Sequence, residues 1–218
     1  EAVRIAFRLR LRRDVAKLAA DAAAVVTALA ERAEEHAETL FADHTYLQHA
    51  QPSTFGHFLL STAYPVLRDA QRLGSALAWI DGSPGGAGGV NGSALVPHRD
   101  RLGELLGFSS VIEHTRDAMW QVDGLLDLAA AAASLAVTHA KLAEDLEIFS
   151  SQEFDLVRLA GPYTRTSVLM PQKRNPYALS MVRGQAGVVM GQLSGLFALM
   201  KSPSARSDNY IFAYGEVP

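Results

Sequence analysis

The stretch LDLAAAAASLAVTHAKLAEDLEIF, residues 126–149, decides the fold of this chain. Its bulky apolar residues recur at every seventh position, at Leu128, Leu135, Leu142 and Phe149. This heptad spacing is typical of a long helix packed nearly parallel or antiparallel to other long helices. The alanines between these positions allow neighbouring helices to approach closely. The stretch therefore predicts a long helix inside a bundle.

Three further segments repeat the spacing. Their rows are Leu11, Leu18 and Val25, with Val15, Ala22 and Leu29 four places later; Leu59, Val66, Leu73 and Ile80; and Leu179, Ala186, Leu193 and Met200. Stretches that contain proline or glycine at 41–54, 81–93 and 159–176 separate the helices. We predict helices near 2–38, 53–80, 99–107, 114–150 and 176–201, with a kink at Pro65 and no strands beyond a minor hairpin. The predicted fold class is all-α, a long-helix bundle.

The composition narrows the possible partners and location. The 218 residues include 20 basic and 23 acidic side chains without a basic stripe, so we expect neither nucleic acid nor a membrane surface as a partner. The chain has no cysteine, which fits a reducing compartment, and we predict a cytoplasmic location. Apolar runs such as Leu128 to Val137 are shorter than the roughly 18 to 20 residues that a membrane span needs. Both ends of the sequence resemble the interior of a longer chain.

A cluster of polar residues stands at the entrance of the last predicted helix, in TRTSVLMPQKRNPYALSMVRG, residues 164–184. Asn175 and Pro176 predict an N-cap followed by the first helical turn. The free amides of that turn, together with Lys173 and Arg174, favour an anion such as a carboxylate or phosphate. Ser167 lies on the loop before it, where cations and amides can stabilise an alkoxide. The alternative is that Ser167 only solvates a loop and Asn175 only caps a helix.

Three sequence blocks carry a resemblance to a known family. SVLMPQKRNP (167–176) resembles the signature of the fumarase/aspartase superfamily, while HTYLQHAQP (44–52) and KLAEDLEIFSSQEFDLVRL (141–159) are most similar to its argininosuccinate lyase branch. The resemblance implies that long central helices from four subunits form one bundle, a homotetramer whose sites each draw on three subunits. It also implies that residues 1–218 are the central helical domain of a longer lyase, without its N-terminal and C-terminal portions.

The resemblance implies a chemistry for the loop. In this superfamily a loop serine removes a proton from a succinyl group, after which a C–N or C–O bond breaks and fumarate leaves. Ser167 occupies the position of that serine. Lys173 and Asn175 occupy positions that bind the substrate carboxylate and stabilise the carbanion, and Met170 lies among the expected substrate-binding residues. Ser167 and Lys173 are therefore the candidate catalytic residues.

The block at 44–52 supplies further candidate substrate-binding residues. Thr45 and Gln48 match family positions that hydrogen-bond a substrate carboxylate. Tyr46 stands where most of the superfamily has a histidine, and a phenol cannot replace it as a base near neutral pH. Tyr46 can still position water or donate a proton. His44 or His49 could compensate, or both histidines are structural.

Other differences from the family bear on the substrate. Thr166 and Val168 flank Ser167 where the family has Gly-Ser-Ser, and both 114–123 and 202–218 depart from the usual argininosuccinate lyase pattern. These changes favour the offshoot typified by ethylenediamine-disuccinate lyase, which acts on N-substituted aspartates. The glycine-rich stretch 81–93 lacks the ending of a Walker motif, and we interpret it as a turn near the substrate with Asn91 as a ligand contact.

The sequence thus predicts a carbon–nitrogen lyase that cleaves an N-substituted aspartate reversibly to fumarate and an amine. Two relatives within the superfamily stay open as alternatives, an argininosuccinate lyase proper and a cycloisomerase. A non-catalytic structural protein on a lyase scaffold is the alternative from a different class. We expect no metal and no organic cofactor, because the chain shows neither a Cys/His cluster nor a dinucleotide fingerprint.

Overall fold

The computed structural model describes residues 1–201, and four long helices dominate this part of the chain. They are α1 (Ala2–Glu35), α2 (Phe55–Ile80), α5 (Asp123–Phe149) and α6 (Tyr177–Met200). The shorter elements are the helices α3 (Arg99–Leu105) and α4 (Thr115–Trp120), a 3-10 turn at Gly161–Tyr163, and four strands: β1 (Leu40–Thr45), β2 (Gln48–Thr54), β3 (Gly82–Ser83) and β4 (Ser110–Val111). The predicted all-α, long-helix class is confirmed.

Many of the heptad positions are buried in the long helices. In α2 the whole row is buried, and Val66 and Leu73 are completely inaccessible to solvent. In the other three helices the rows are buried in part, at Leu11, Val15, Ala22 and Leu29; at Leu128, Leu135 and Phe149; and at Ala186 and Met200. The remaining row positions, Leu18, Val25, Leu142, Leu179 and Leu193, are partly buried. Burial of a large aliphatic side chain stabilises a fold by about 1.5–3 kcal/mol, so these rows contribute to stability.

The chain divides into two compact units. Among the described residues, the first unit contains 1–23, 69–132 and 192–201, and the second contains 24–68 and 133–191. A cluster in the first unit contains Ala129, Leu196 and Met200, with Trp120, Val122, Leu125, Leu126, Leu193 and Leu199 packed against it. A cluster in the second unit contains Leu29, Ala33, Leu59 and Ala63, with Val25, Phe55, Phe58 and Leu142 packed against it.

The predicted helix 114–150 is wrong in one respect, because it is interrupted between α4 and α5. Gln121 has ψ 118°, which takes the backbone out of the helical region. Its side-chain oxygen accepts a hydrogen bond from the Arg8 guanidinium at 2.9 Å. The next carbonyl, that of Val122, then accepts from the N–H groups of Leu125 and Leu126 and starts α5. The break therefore coincides with a contact between residues far apart in sequence, which a local pattern does not contain.

Two further details refine the predicted helices. α2 continues through Pro65 as one helix, and the kink at this residue stays a prediction. The parallel pair of β3 and β4 was not predicted. Each of these strands has only two residues, which is too short for the alternation of polar and apolar residues that identifies a strand.

The hairpin of β1 and β2 carries backbone strain at its turn. The strands pair antiparallel, with Thr45 opposite Gln48, so that Tyr46 and Leu47 form a two-residue turn. Both turn residues have positive φ, 55° at Tyr46 and 57° at Leu47. Two-residue hairpin turns with this geometry favour Asn-Gly, because side chains with a branched or bulky Cβ region are disfavoured in the left-handed region. Tyr-Leu is therefore an unfavourable pair for local stability.

α5 is long and apolar enough to cross a membrane by length and composition, with a mean hydropathy of 1.3 over its best window. The estimate from the shorter run Leu128 to Val137 missed this, since the apolar character continues beyond it. The same helix carries the buried row that includes Leu128 and Leu135, which is the pattern of a core helix. The absence of a membrane partner stays a prediction.

Asp145 on α5 should make stability depend on pH. Desolvation raises the pKa of its carboxyl group, and the charge of Glu144 raises it further. A carboxyl whose folded pKa is raised costs stability once pH rises from the unfolded value through the folded value. Asp145→Asn should therefore increase the free energy of unfolding at pH 7, and the gain should shrink toward pH 3.5. Because the Asp145 side chain is exposed, solvent screens it and the gain should be small. Urea denaturation at both pH values measures this, with Asp127→Asn as the control for removing another exposed carboxylate from α5; an equal gain at both pH values would contradict the assignment.

Leu47→Gly should stabilise the chain because it relieves strain in the turn. A non-glycine residue in the left-handed region costs about 1–2 kcal/mol, and the greater entropy of glycine in the unfolded chain offsets part of the gain. We expect the free energy of unfolding to rise by about 0.5–1 kcal/mol, measured by urea denaturation. Leu40→Gly is the matched control, an exposed leucine in β1 with ordinary φ, and it should destabilise. A loss of stability in Leu47→Gly would show that the turn is not strained.

Candidate active site

The loop that carries Ser167 is closed at its base by a backbone bridge. The Arg165 N–H donates to the Asn175 carbonyl at 2.9 Å, and the Asn175 N–H donates back to the Arg165 carbonyl at 3.0 Å. The Arg174 guanidinium donates to the Leu159 carbonyl at 3.0 Å and holds the same end of the loop. The loop tip, in contrast, is open to solvent, and Val168 is fully exposed. The loop therefore has an anchored base and a projecting apolar tip.

Ser167 is half-buried, and its hydroxyl oxygen accepts a hydrogen bond from the Met170 N–H at 3.3 Å. The Met170 carbonyl in turn accepts from the Lys173 N–H at 3.1 Å. These two contacts fold residues 167–173 into consecutive turns. An N–H group that donates to a serine oxygen stabilises negative charge on that oxygen, as an oxyanion donor does. The same contact also occurs in ordinary serine turns.

The two cationic side chains of the loop, Lys173 and Arg174, differ in whether they already have a hydrogen-bond partner. The Lys173 ammonium is exposed and has no hydrogen-bond or ion-pair partner within residues 1–201. Arg174 was predicted as a further cationic donor; its guanidinium already donates to the Leu159 carbonyl, and its part in binding an anion stays a prediction. Lys173 is thus the cation of this pair that can bind a carboxylate without breaking a contact of the loop.

Asn175 is not the N-cap of the last helix, contrary to the prediction. α6 begins at Tyr177, and the carbonyl that accepts the first helical hydrogen bond, from the Ser180 N–H at 3.2 Å, belongs to Pro176. The Asn175 backbone is engaged in the bridge to Arg165, and its carbonyl also accepts from the Tyr177 N–H at 2.8 Å. The Asn175 carboxamide makes no hydrogen bond within the described part of the chain. It is therefore free to bind a ligand.

A charged network holds α5 and α6 together on either side of this loop. Arg183 of α6 donates to Glu147 at 2.6 Å and to Glu144 at 3.4 Å, both on α5. The Ser180 hydroxyl also donates to Glu147, at 3.1 Å. The hydrogen bond to Glu147, followed by the charge of Glu144, raises the pKa of Arg183, so this side chain stays charged. The network fixes the helix ends from which the loop projects.

The hairpin brings the second group of predicted residues together. Thr45 and Gln48 are directly opposite each other across the strands, so their side chains share one face with Cβ atoms about 4.5–5.5 Å apart. Tyr46 at the turn is 99% exposed. The Gln48 amide reaches only the Leu47 carbonyl, at 3.4 Å, which is a long hydrogen bond. A hydroxyl, a phenol and a carboxamide are thus presented to solvent on one turn.

His44 packs inside the second unit. Its ring lies 5.6 Å from that of Phe149, 5.5 Å from that of Phe154 and 5.0 Å from that of His49. Both ring nitrogens are shielded from water and have no hydrogen-bond partner among the described residues. Within this chain the His44 ring packs against aromatic side chains, and its role as a compensating group stays a prediction. His49 is exposed and stays open as a compensating group.

The predicted site residues therefore form separate groups. Thr45, Tyr46 and Gln48 lie on the hairpin turn, and the loop residues are Ser167, Met170, Lys173 and Asn175; both groups belong to the second unit. Asn91 belongs to the first unit, where it is exposed and makes no hydrogen bond within residues 1–201. The prediction that no single chain completes the site stays a prediction. The segment 202–218, whose sequence bears on the substrate, lies outside the described residues.

The structure also shows a cleft that the sequence patterns did not identify. It has a volume of about 320 Å³ and lies within the second unit, at the base of the loop. Its lining is polar, with Ser150, Ser151, Gln152, Asp155, Val157, Arg158, Leu159, Thr164, Gln172 and Arg174. Several of these residues fall in the block 141–159 that carries the family resemblance, which was the available signal. Within residues 1–201, no three His, Asp or Glu side chains lie close enough together to hold a metal ion.

Comparison with known proteins identifies relatives of this chain. A family model described as lyase matches residues 1–191. The argininosuccinate lyase of Geobacillus thermodenitrificans is 37% identical over 193 residues, which cover 88% of this chain and 42% of the relative. The chain therefore spans less than half the length of this curated relative.

Solved structures of two enzymes are also similar to this chain. An EDDS lyase in complex with formate superposes with a TM-score of 0.91 at 25% identity and covers 94% of this chain and 41% of that one. The 3-carboxy-cis,cis-muconate lactonizing enzyme from Pseudomonas putida has a TM-score of 0.79 at 26% identity and covers 97% of this chain and 47% of that one. Together with the model that matches residues 1–191, these similarities show that the chain belongs to the lyase family.

Proposed function

We propose that this protein is a carbon–nitrogen lyase that cleaves an N-substituted aspartate reversibly into fumarate and an amine. The observation that carries the proposal is the loop 165–175, in which the Met170 amide donates to the Ser167 oxygen while the Lys173 ammonium is left free. The family assignment and the similarity to argininosuccinate lyase and EDDS lyase support this reaction class. The substrate is a small dicarboxylate, and no cofactor is needed.

The first step is removal of a proton from the succinyl Cβ. The Ser167 alkoxide accepts this proton, and the electron pair of the broken C–H bond moves into the adjacent carboxylate, which becomes a doubly charged aci-carboxylate. Lys173 and Asn175 bind this carboxylate and stabilise it more strongly as the charge grows, which is what lowers the barrier. The Met170 amide stabilises Ser167 in its charged form before the transfer.

The second step breaks the C–N bond. The electron pair of the carbanion forms the carbon–carbon double bond of fumarate, and the electron pair of the C–N bond leaves with the nitrogen, which takes up a proton. Thr45 and Gln48 bind the other carboxylate of the succinyl group through their hydroxyl and amide donors. Tyr46 or His49 donates the proton to the leaving nitrogen, directly or through a water. Ser167 then returns its proton to solvent.

We propose that the active form is a homotetramer in the cytoplasm, with each site shared between subunits. The exposed surface of α6 supports a multi-helix assembly, because large apolar side chains remain exposed on more than one side of this helix, at Met181, Val182, Val188, Met190 and Phe197. Stable oligomer interfaces are rich in such side chains. The exposed, strained turn at Tyr46 and Leu47 also fits a segment that completes a site in another copy of the chain.

A cycloisomerase is the second candidate function. The similarity to the lactonizing enzyme from Pseudomonas putida favours it, since that enzyme is 26% identical to this chain. The higher identity of 37% to an argininosuccinate lyase favours the C–N lyase. A panel of aspartate adducts, followed by fumarate absorbance, and a lactone substrate, followed by its own consumption, distinguish the two activities.

Ser167→Ala should separate binding from chemistry. Removing the hydroxyl deletes the proton acceptor and leaves the carboxylate ligands in place, so KM should change little while kcat falls by roughly two or more orders of magnitude. Lys173→Met should raise KM and lower kcat together, because the ammonium binds both the ground state and the transition state. The assay is fumarate formation from aspartate adducts of several amines, argininosuccinate included, by the complete protein.

Thr166→Val is the matched control for this experiment. It removes a hydroxyl from the neighbouring residue of the same loop, which we assign no role, and turnover should stay near that of the unmodified protein. Near-normal turnover in Ser167→Ala on the best substrate would show that Ser167 is not the base. Residues 165–175 would then be an anion-binding loop only.

A further inference from the structure

The glycine-rich loop 84–92 in the first unit has a backbone shaped to bind an anion. Gly86, Gly88 and Gly89 have φ values of 74°, 60° and 86°, all in the left-handed region. Left-handed residues within a tight turn aim nearby N–H groups toward one side of the chain, and such concavities bind anions. The segment 82–87 that leads into this turn is buried, so the loop rests on a fixed base.

The carboxylate of Glu1 occupies this concavity. Its two oxygens accept separate hydrogen bonds, from the Gly86 N–H at 2.7 Å and from the Gly88 N–H at 2.8 Å. Both distances are in the short range of charge-assisted hydrogen bonds. The Glu1 backbone carbonyl accepts from the Ile5 N–H of α1 at 3.1 Å. Glu1 therefore contacts both α1 and the loop.

At Gly86 and Gly88 a side chain would collide with neighbouring atoms, in addition to the strain of positive φ. A Cβ atom at Gly88 would lie 2.1 Å from the Gly92 carbonyl oxygen, and one at Gly86 would lie 2.7 Å from the Arg99 side chain. A Cβ atom at Gly89 would meet nothing within 4 Å. Gly88 and Gly89 therefore share the unusual backbone, but only a side chain at Gly88 would also collide with the loop.

Other side chains hold the rest of the loop. Arg99 donates three hydrogen bonds, to the carbonyls of Gly85 at 2.9 Å, Ile112 at 2.7 Å and Glu113 at 2.8 Å. The Thr115 hydroxyl donates to the Val90 carbonyl at 2.7 Å. With these contacts made, the next residue, Asn91, remains exposed with its carboxamide unengaged within residues 1–201.

We propose that the loop 84–92 is a carboxylate-binding site whose resident ligand is Glu1, and that the occupied site holds Asn91 in position to contact substrate. The second part rests on the proposed function and on the interpretation of Asn91, made from the sequence, as a substrate contact. The first part does not, because it concerns only the backbone amides and the anion that they bind. Glu1 is thus a positioning residue that acts through Asn91.

The test is chemical rescue of Glu1→Ala in the complete protein. The variant leaves the amides of Gly86 and Gly88 without an anion, so both amides should exchange with solvent faster and KM for the aspartate adduct should rise several-fold with kcat little changed. Formate at roughly 50 mM should restore slow exchange and the original KM, because two charge-assisted hydrogen bonds correspond to a millimolar affinity. Formamide at the same concentration is the uncharged control and should restore neither.

Three further variants test whether the charge of Glu1 and the shape of the loop are both needed. Glu1→Gln keeps the size of the side chain but offers an NH2 group to one amide, so it should show part of the defect. Gly88→Ala should give the same defect without any rescue by formate, because the concavity itself is lost. Gly89→Ala has a similar backbone strain in open space and should keep slow exchange at Gly86 and Gly88.

The outcomes separate the two parts of the proposal. Fast exchange in Glu1→Ala that formate does not slow would contradict a carboxylate site. Rescue of exchange together with an unchanged KM in both Glu1→Ala and Asn91→Ala would overturn the link to substrate and leave the lyase assignment intact. If no adduct yields fumarate in the unmodified protein, the proposed function fails, while the exchange experiment still decides whether the loop binds a carboxylate.

Discussion

The structure depends on the burial of one row of apolar side chains along each long helix. Val66 and Leu73 in α2 are completely buried, and equivalent rows run along α1, α5 and α6. A heptad row is typical of long helices that pack side by side. Substituting alanine for either α2 residue would leave a cavity, which typically costs about 2–5 kcal/mol for a buried leucine.

The candidate site residues are supplied by segments between these helices. The hairpin with Thr45 and Gln48 connects α1 to α2, and the loop with Ser167 and Lys173 connects α5 to α6. The helices are rigid, whereas the turns that they carry have exposed tips and, at Tyr46, positive φ. This division lets the chain keep a fixed scaffold while it offers polar side chains to a ligand. Strain of this kind persists where the surrounding structure holds it, and it is often found at functional sites.

The sequence was sufficient to predict the features that depend on local periodicity. The four long helices and their buried rows follow from the heptads, and the polar loop follows from its prolines and its resemblance to the family. The break at Gln121 was missed because its side chain is bound by Arg8, a residue 113 positions away. Asn175 was assigned as a cap because the pair Asn-Pro is typical of a helix start, but a backbone bridge to Arg165 moved the cap to Pro176.

The carboxylate-binding site of the glycine-rich loop could not be predicted from the sequence either. The run of glycines was visible in the sequence, and so was the absence of a Walker ending, but nothing local indicated that a carboxylate 85 residues earlier in the chain would occupy its amides. Long-range polar contacts have no periodicity, so they become visible only in the folded chain. The hydrogen bond from the Met170 amide to Ser167 is local, between residues three positions apart, and the resemblance to the family did not indicate it either.

In the proposed reaction, the protein adds and removes an amine and a proton across the double bond of fumarate. The sharpest test is the reverse reaction in D2O, with the complete protein, fumarate and a panel of amines that includes arginine and ethylenediamine, followed by proton NMR. We expect an N-substituted aspartate that carries a single deuterium at Cβ, because a base that exchanges with solvent delivers that deuteron to one face. Fumarate that remains unchanged with every amine, or an adduct without deuterium at Cβ, would contradict the proposed reaction.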